Sequence, residues 1–497
     1  MTTQATPTIQ SAFLQQQPVK MLIGGHWVEA ASGKTFETIN PSTAEVLAQV
    51  AEGASEDINR AVAAARQAFE SGPWPKLTPS QRGRLLLKLA DLIEQNAEEL
   101  AQLETLDNGK PIKYSRGGDV PLTADHFRYF AGWATKIEGE TIPVSIPNMF
   151  TYTLREPLGV VGQIIPWNFP LQMASWKLAP ALACGNTVIL KPAEQTPLTA
   201  LRLGELICEA GFPDGVVNII PGFGETAGAA LVAHPDVDKI AFTGSTEVGK
   251  KIARVCTNTL KKVTLELGGK SPNIIFPDAD MKYAVRGALN AIYFNQGEVC
   301  TAGSRLFIHS SVYDEVVSGL SAAAHKMKVG VGIDPTTDMG PLVSQEQLKR
   351  VTGYIETGKS EGAKLVAGGE GPGGDIAQGY FMRPTIFGAV QDDMTIAREE
   401  IFGPVVVALP FEDVEEVAAR ANKSIYGLAA GVWTNDVKKA HKVAAALKAG
   451  VVWINTYNQF DAAAPFGGYK QSGYGREMGH AVLDAYTQTK TVWVNLR

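Results

Sequence analysis

Cysteine is scarce: the 497 residues hold four, Cys184, Cys208, Cys256 and Cys300, far apart, with no Cys-x-x-Cys pair and no Cys/His cluster. That excludes a disulfide framework and a zinc site, so no metal is expected, and it points to a reducing compartment, the cytoplasm. No run of about eighteen apolar residues exists, so no membrane-spanning helix is expected. Charge of one sign is also lacking. With 45 Lys and Arg against 51 Asp and Glu, the net charge of −6 makes no electrostatic case for nucleic acid or an anionic membrane as partner. The seven histidines sit in no recognisable catalytic motif, which leaves a cysteine hydrolase without its usual base. Residues 1–18 are polar and rich in Gln and Thr, with no basic residue before Lys20 and no apolar core of signal length. They read as a disordered tail, not a targeting peptide.

Glycine is plentiful at 50 residues, and 45% hydrophobic with 19% charged content is the composition of a globular protein. The chain is too long for one compact core, so two or three domains are expected. From Leu22, LIGGHWVEA turns like a short hairpin. Ser55 reads as the N-cap of a helix whose apolar stripe is Ile58, Val62, Ala65 and Phe69, and a second helix covers about 80–96. From about Leu158 the pattern repeats as strand, loop and helix. Strands are predicted at 160–165, 187–190, 216–220 and 239–242. One helix between them has Thr196 as N-cap, Pro197 first and Gly211 as its stop, and another has an apolar side of Val248, Ile252 and Val255. Such alternation predicts an α/β fold with a doubly wound parallel sheet that binds ligands at the carboxyl ends of its strands. A second α/β half follows from Gly268 to about Gly475, with helices near 281–293, 313–328 and 345–361. The alternating TVWVN at 491–495 predicts an exposed strand that pairs with another subunit.

Two stretches carry chemistry. In FNQGEVCTAGSR, from Phe294 to Arg305, Cys300 follows a glycine turn and the acidic Glu298, and small residues after it leave room for a reactant at the sulfur. In VTLELGGKS, from Val263 to Ser271, Glu266 is embedded in a run that reads as a buried strand ending in two glycines. Burying a carboxylate is costly unless it is paired or neutral, so Glu266 is either a structural ion-pair member or a base with a tuned pKa. Gly222 to Ala227 partly matches a dinucleotide fingerprint and equally fits a plain turn. Gly244-Ser245, opening a helix, suits a pyrophosphate. Lys191 and Glu194 are open to two readings, a solvated surface pair or a ribose contact.

Together these stretches resemble the two signatures of the NAD(P)-dependent aldehyde dehydrogenase superfamily. PWNFP (166–170), KPAEQTP (191–197), FTGSTEVG (242–249), EEIFGPV (399–405) and PFGGYKQSGYGRE (465–477) are similar to the family's other motifs, in the family's order. The resemblance implies a Rossmann-like NAD domain (19–131 and 152–267), a catalytic domain (268–475) and a small β oligomerisation arm (132–151 and 476–497). It implies Cys300 as nucleophile, Glu266 as the base that activates water, and the Asn168 amide with the Cys300 N–H as oxyanion donors. It also implies Lys177 and Glu477 as a proton relay. Its cofactor set falls on Ile164, Ile165, Pro166, Trp167, Thr243, Gly244, Leu267 and Gln347. Lys191 and Glu194 would hold the adenosine ribose, Gly224 and Val248 flank the adenine, Ser245 meet the pyrophosphate, and Glu400 with Phe402 bind at the nicotinamide ribose. Glu194 would repel a 2′-phosphate, which favours NAD over NADP. Phe169, Trp176, Phe294, Val299, Phe460 and Phe466 would form an apolar channel for aliphatic or arylacetic aldehydes. Glu266 also implies the hydrolytic branch of the family, and the longer-chain members imply a homotetramer. Gln488 departs from the acidic residue that several relatives carry at a subunit contact. The competing readings are a cysteine-dependent esterase and an inactive structural homologue.

Overall fold

The computed structural model of the protein describes residues 12–497. Five parallel strands form the middle of the first sheet, in the order Lys262–Glu266, Lys239–Thr243, Val160–Ile164, Thr187–Lys191 and Val217–Ile219. Val160–Ile164 and Thr187–Lys191 are buried along their whole length, which is why they read as continuous apolar runs and not as alternating ones. From Val160–Ile164 the chain adds strands in one direction, then returns to build in the other. The order therefore reverses between Val160–Ile164 and Lys239–Thr243, and a ligand crevice belongs outside the carboxyl ends at such a reversal. Residues 165–167 leave one of these two strands, and residues 244–245 leave the other.

The second sheet runs Lys364–Ala367, Thr385–Gly388, Val405–Phe411, Arg305–His309, Pro272–Ile275, Ala429–Trp433 and Val451–Ile454, all parallel except the first pair. The two sheets bear out the α/β expectation. The N-terminal hairpin also forms, from Met21–Ile23 and His26–Val28 around Gly24 (φ 60) and Gly25 (φ 82), and adds antiparallel to the first sheet. The short strand Gly473–Tyr474 pairs with Leu265 and Glu266, so the end of the second half closes the edge of the first sheet.

Several boundaries differ from expectation. Residues 1–11 of the expected tail lie outside the described residues, but Ala12–Gln15 is a short helix, and Phe13 anchors it in the core of the first half. Ser55 is the first residue of the helix Ser55–Glu70 instead of its cap. Asp57 closes that end, its carboxylate accepting from Ala54 N (3.1 Å) and Ala31 N (2.9 Å). The helix Leu198–Ala210 starts after Pro197, and Gly211 ends it in the left-handed conformation (φ 92). On Thr246–Cys256 only Ile252 of the expected apolar side is buried. Gly249, Ile252 and Cys256 form the inner stripe and leave Val248 and Val255 exposed.

The C-terminal strand finds its partner within the chain. Thr487–Asn495 pairs along its length with Met149–Pro157, which also pairs with Thr141–Ile142. The middle strand of this arm runs to Pro157, past the expected boundary at 151, while Gly132 and Trp133 still belong to the helix Val120–Trp133. The outer edge of Thr487–Asn495 has no strand partner among the described residues.

Candidate active site

Cys300 owes its position to backbone that few sequences adopt. The turn Phe294–Gly297 holds Asn295 (φ 48, ψ 43), Gln296 (φ 57, ψ 21) and Gly297 (φ 73) in succession in the left-handed region. A side chain on Gly297 would start 2.2 Å from the Gly403 carbonyl oxygen, so only glycine fits there. The Asn295 amide ties the turn down, donating to Asn168 O (3.1 Å) and Glu298 O (3.3 Å). Asn168 lies on the loop after Val160–Ile164, and its own Nδ2 donates to Glu298 O at 2.9 Å. From the other side Asn108 Nδ2 donates to Trp167 O at 2.9 Å. Two asparagines therefore lock the PWNFP loop to the cysteine loop, and a third holds it to the helix Ala97–Asn108.

Glu266 ends its strand, buried, with Oε2 lacking any hydrogen-bond partner. Burial pushes its carboxyl well above the ordinary value and the charge of Glu477 adds to that, against smaller opposing effects of Lys177 and Arg476. Burial likewise pushes the Cys300 thiol up to about 12, helped by Glu400 and Glu266. Burial thus disfavours the charged form of both groups, and the sulfur needs a nearby base to become a nucleophile.

The two glycines after Glu266 are demanded by close approach. A methyl on Gly268 would sit 2.2 Å from Glu400 Oε2, and one on Gly269 2.3 Å from the Cys300 carbonyl oxygen. Gly269 N donates to Glu400 Oε1 at 2.9 Å, and burial raises the Glu400 carboxyl to about 7. Arg350 Nη2 holds the Glu400 carbonyl at 2.7 Å.

A cavity of about 540 Å³ collects most of the residues singled out from the sequence: Pro166 to Phe169, Trp176, Thr243 to Ser245, Glu266, Leu267, Phe294, Val299, Cys300, Gln347, Glu400, Phe402, Phe460 and Phe466 all line it. Its aromatic lining forms two groups. Phe169 stacks on Phe294 (6.0 Å between centroids), and Trp176 meets Phe466 (5.3 Å) and Phe460 (6.2 Å). A larger open groove of about 1820 Å³ borders the second sheet, but none of the predicted site residues lines it.

The remaining predicted residues lie outside this cavity. Ile164 and Ile165 are core. Lys191, ending its strand, is buried with its Nζ 2.9 Å from the part-exposed Glu194 Oε2, so the pair is not solvated at the surface. Val248 is exposed beside the cavity-lining Ser245, which caps the next helix with its Oγ accepting from Val248 N at 3.3 Å. Gly224 opens a π-helical turn, Gly224–Gly228, and a methyl on Gly224 would meet nothing within 4 Å. Lys177 is fully buried, its Nζ 2.6 Å from Glu477 Oε1. Among the described residues no cluster could hold a metal ion.

Sequence reasoning missed Asn108, Asn295 and Arg350. Asn108-Gly109 is a turn dipeptide, and asparagine before Gly297 tolerates a left-handed backbone, so both had a faint local signal. Arg350 had none.

Comparison with known proteins gives a consistent answer. The profile of the aldehyde dehydrogenase family matches residues 27–492. The human mitochondrial aldehyde dehydrogenase is 57% identical over 96% of this chain and 92% of its own. The NAD+ complex of an aldehyde dehydrogenase from Bacillus cereus superposes with a TM-score of 0.96 at 58% identity, covering 98% of both chains. A betaine aldehyde dehydrogenase from Staphylococcus aureus, in complex with NAD+, has a TM-score of 0.96 at 45% identity over 97% of this chain and 96% of that one. Identity of this level along nearly the whole length, with the motif residues gathered at one cavity, establishes that the chain belongs to the aldehyde dehydrogenase family.

Proposed function

We propose that the protein oxidises an apolar aldehyde, aliphatic or arylacetic, to its carboxylic acid with NAD and water. The observation that carries this reading is the convergence of Cys300, Glu266, Asn168 and Glu400 on one aromatic-walled cavity at the reversal of the parallel sheet. The residues present fit the cofactor. Glu400 offers a carboxylate beside backbone that only glycine permits, Gly224 leaves open space, and the helix capped by Ser245 presents its N-terminus. Lys191 and Glu194 would hold the adenosine ribose and Glu400 the nicotinamide ribose, and the Glu194 carboxylate disfavours a 2′-phosphate. NAD bound there supplies the hydride acceptor.

The protein's own groups do the rest. As sulfur adds to the carbonyl carbon, the Cys300 thiol proton passes through water to the Glu266 carboxylate and on to solvent, and the carbonyl oxygen takes the negative charge. One N–H of the Asn168 amide is engaged by Glu298 O, and the other is left for that oxyanion together with the Cys300 N–H. Loss of hydride from this adduct leaves a thioester on Cys300. Glu266 then takes a proton from water, hydroxide adds to the thioester carbon, the C–S bond breaks, and sulfur recovers a proton. A carboxyl held above its ordinary pKa by burial suits that base, and the buried Lys177–Glu477 pair beside it suits onward proton movement.

We further infer a cytoplasmic homotetramer. None of the four cysteines is paired, and among the described residues no helix is long and apolar enough to cross a membrane. The arm exposes Phe150, Leu154, Trp493 and Leu496 beside an unpaired strand edge, a surface that a second copy would cover. NADH formation across short, long, arylacetic, benzoic and trimethylammonium aldehydes, with Cys300→Ala and Glu266→Gln alongside, tests the whole reading. NADH from apolar aldehydes in the wild type alone is expected. Ester hydrolysis without NADH from any aldehyde would overturn it in favour of a hydrolase.

A further inference from the structure

The acid-forming half of the proposed reaction has a consequence for protons. Aldehyde, NAD+ and water become carboxylate, NADH and two protons, and those protons must leave a cavity walled by aromatic side chains.

Lys239 opens the strand Lys239–Thr243, which runs in register beside Lys262–Glu266. It is fully buried and no part of the mechanism uses it. Its Nζ donates to Thr264 Oγ1 at 2.9 Å and lies 5.0 Å from the centre of the Tyr486 ring. Residues two apart on a strand share a face, so Lys262, Thr264 and Glu266 form one stripe, and Lys239, Ala241 and Thr243 form the neighbouring one. Ala241 adds only a methyl between Lys239 and the carboxyl end of the strand. Near this stripe Lys177 Nζ pairs with Glu477 Oε1 at 2.6 Å, and Gln163 Nε2 donates to Lys177 O at 2.7 Å.

Two buried carboxylate oxygens in this region, Glu266 Oε2 and Glu477 Oε2, have no hydrogen-bond partner. An orphaned buried oxygen is costly, and proteins usually satisfy such groups with internal water. At the outer end Lys262 is exposed, its Nζ 3.2 Å from Thr487 O. The stripe therefore runs from the carboxylate at the cavity to solvent at the amino-terminal ends of the same strands.

We propose that Lys239 is the outer member of a proton path leading from Glu266 away from the substrate cavity, past Glu477, Lys177 and Thr264, to solvent beside Lys262. This rests on the reading of Glu266 as the base. The O–H bond formed on Glu266 breaks, and its proton passes through ordered water to Glu477. The neutral amine of Lys239 takes up a proton from that side, becomes an ammonium, and releases it to water at the amino-terminal ends of the strands, returning to neutral. The titratable groups around Lys239 are Glu477, Lys177 from the helix Pro170–Ala183, Lys262 on the adjacent strand, Cys256 ending Thr246–Cys256, and Tyr486 from Leu483–Tyr486. Burial draws the ammonium down to about 7, with Glu477 opposing and the two lysines assisting, so both forms of the amine are accessible near neutrality.

The test follows NADH absorbance and proton release, the latter with an indicator dye in weak buffer, during one rapid-mixing transient of the full-length enzyme. With Lys239→Met the NADH burst is expected to stay within about twofold of wild type, while the following proton release slows roughly tenfold, less than the loss of a group acting on the reacting atoms. A larger solvent deuterium isotope effect on kcat should accompany it. Lys239→Arg keeps a charge that does not titrate, so it is expected to stay slow. Recovery of wild-type release in Lys239→Arg would assign Lys239 a structural charge and overturn the proposal. Wild-type release in Lys239→Met would overturn it too. If Lys239→Met does not fold, Thr264→Val, which removes the hydroxyl holding Nζ, must slow release while sparing the burst, or the proposal fails. Glu266→Gln separates the two levels: normal turnover in that variant defeats the base assignment, whereas lost turnover there with normal release in Lys239→Met defeats only the path.

Discussion

Lys110 and Lys177 are both fully buried and both pair with carboxylates, yet their surroundings differ in one respect. Lys110 lies 2.7 Å from Asp119 and 3.3 Å from Glu104, and the remaining oxygens of those acids are also engaged. Glu104 Oε2 accepts from Thr199 Oγ1 (2.8 Å) and Leu171 N (3.4 Å), and Asp119 Oδ1 accepts from Gln172 Nε2 (2.7 Å). Around Lys177, by contrast, Glu266 Oε2 and Glu477 Oε2 have no partner. A satisfied network is rigid, and here it props the start of the helix that follows Asn168 and Phe169. An unsatisfied one keeps acceptors ready for a proton or a water. On the proposed mechanism the same residue types serve as scaffold in one place and as chemistry in the other, and what separates them is the count of satisfied oxygens.

The largest effect should come from the unsatisfied side. Glu266→Gln is expected to lower kcat on the order of 10³-fold while leaving the thermal midpoint nearly unchanged, since no hydrogen bond to the lost oxygen is broken. Steady-state rates and a melting curve on the same preparation check both halves, and a collapse of stability would erase the contrast. Lys110→Met should do the reverse. Stripping the shared cation leaves Glu104 and Asp119 buried without their charge partner and should cost about 3–5 kcal/mol in urea unfolding. Little loss there would show the Lys110 cluster to be as loosely held as the other.

Glu400 lies between the two cases, with one oxygen held by Gly269 N, and it sharpens the comparison. Gly268→Ala places a methyl 2.2 Å from Glu400 Oε2 and must displace that carboxylate. We expect KM for NAD to rise about tenfold with a smaller fall in kcat, the pattern of lost uniform binding. An unchanged KM would mean that Glu400 does not touch the cofactor. The smallest effect is on pH. Because burial raises the folded Glu400 pKa to about 7 from 4.5, the folded state holds this proton more tightly than the unfolded chain. Its contribution to stability is complete below about pH 4.5 and is lost as pH rises through about 7. Glu400→Gln should remove that part of the decline in thermal midpoint, read from melts across this range.

Much of this was legible in the sequence because it rests on local pattern. Val160–Ile164 and Thr187–Lys191 announce a parallel core by unbroken apolar runs, and Gly211 announces a helix end by its freedom at positive φ. Cys300 and Glu266 stood out through small neighbours and an unexplained buried charge. What stayed hidden depends on meetings between distant segments. The Lys110 cluster joins residues 104, 110, 119, 172 and 199, none of them remarkable alone. The exposure of Val248 and Val255 is set by which side of their helix the sheet claims, and the pairing of Thr487–Asn495 with Met149–Pro157 spans most of the chain. The burial of Lys177 against Glu477 joins positions three hundred residues apart, which no local pattern reports.

The strand Gly473–Tyr474 has a bearing on how the protein comes into being. It covers the edge of the strand that ends in Glu266, Ser472 O accepts from Leu267 N at 3.0 Å, and Ser472 Oγ donates to Gly268 O at 2.7 Å. A ribosome has delivered the entire dinucleotide half some two hundred residues before it delivers this cover. Until then the nascent first sheet displays an open border at its future catalytic end, the kind of edge that recruits other chains. Truncation just before residue 473 should therefore yield a fragment that aggregates, and completion of the active centre should be a late event in biosynthesis.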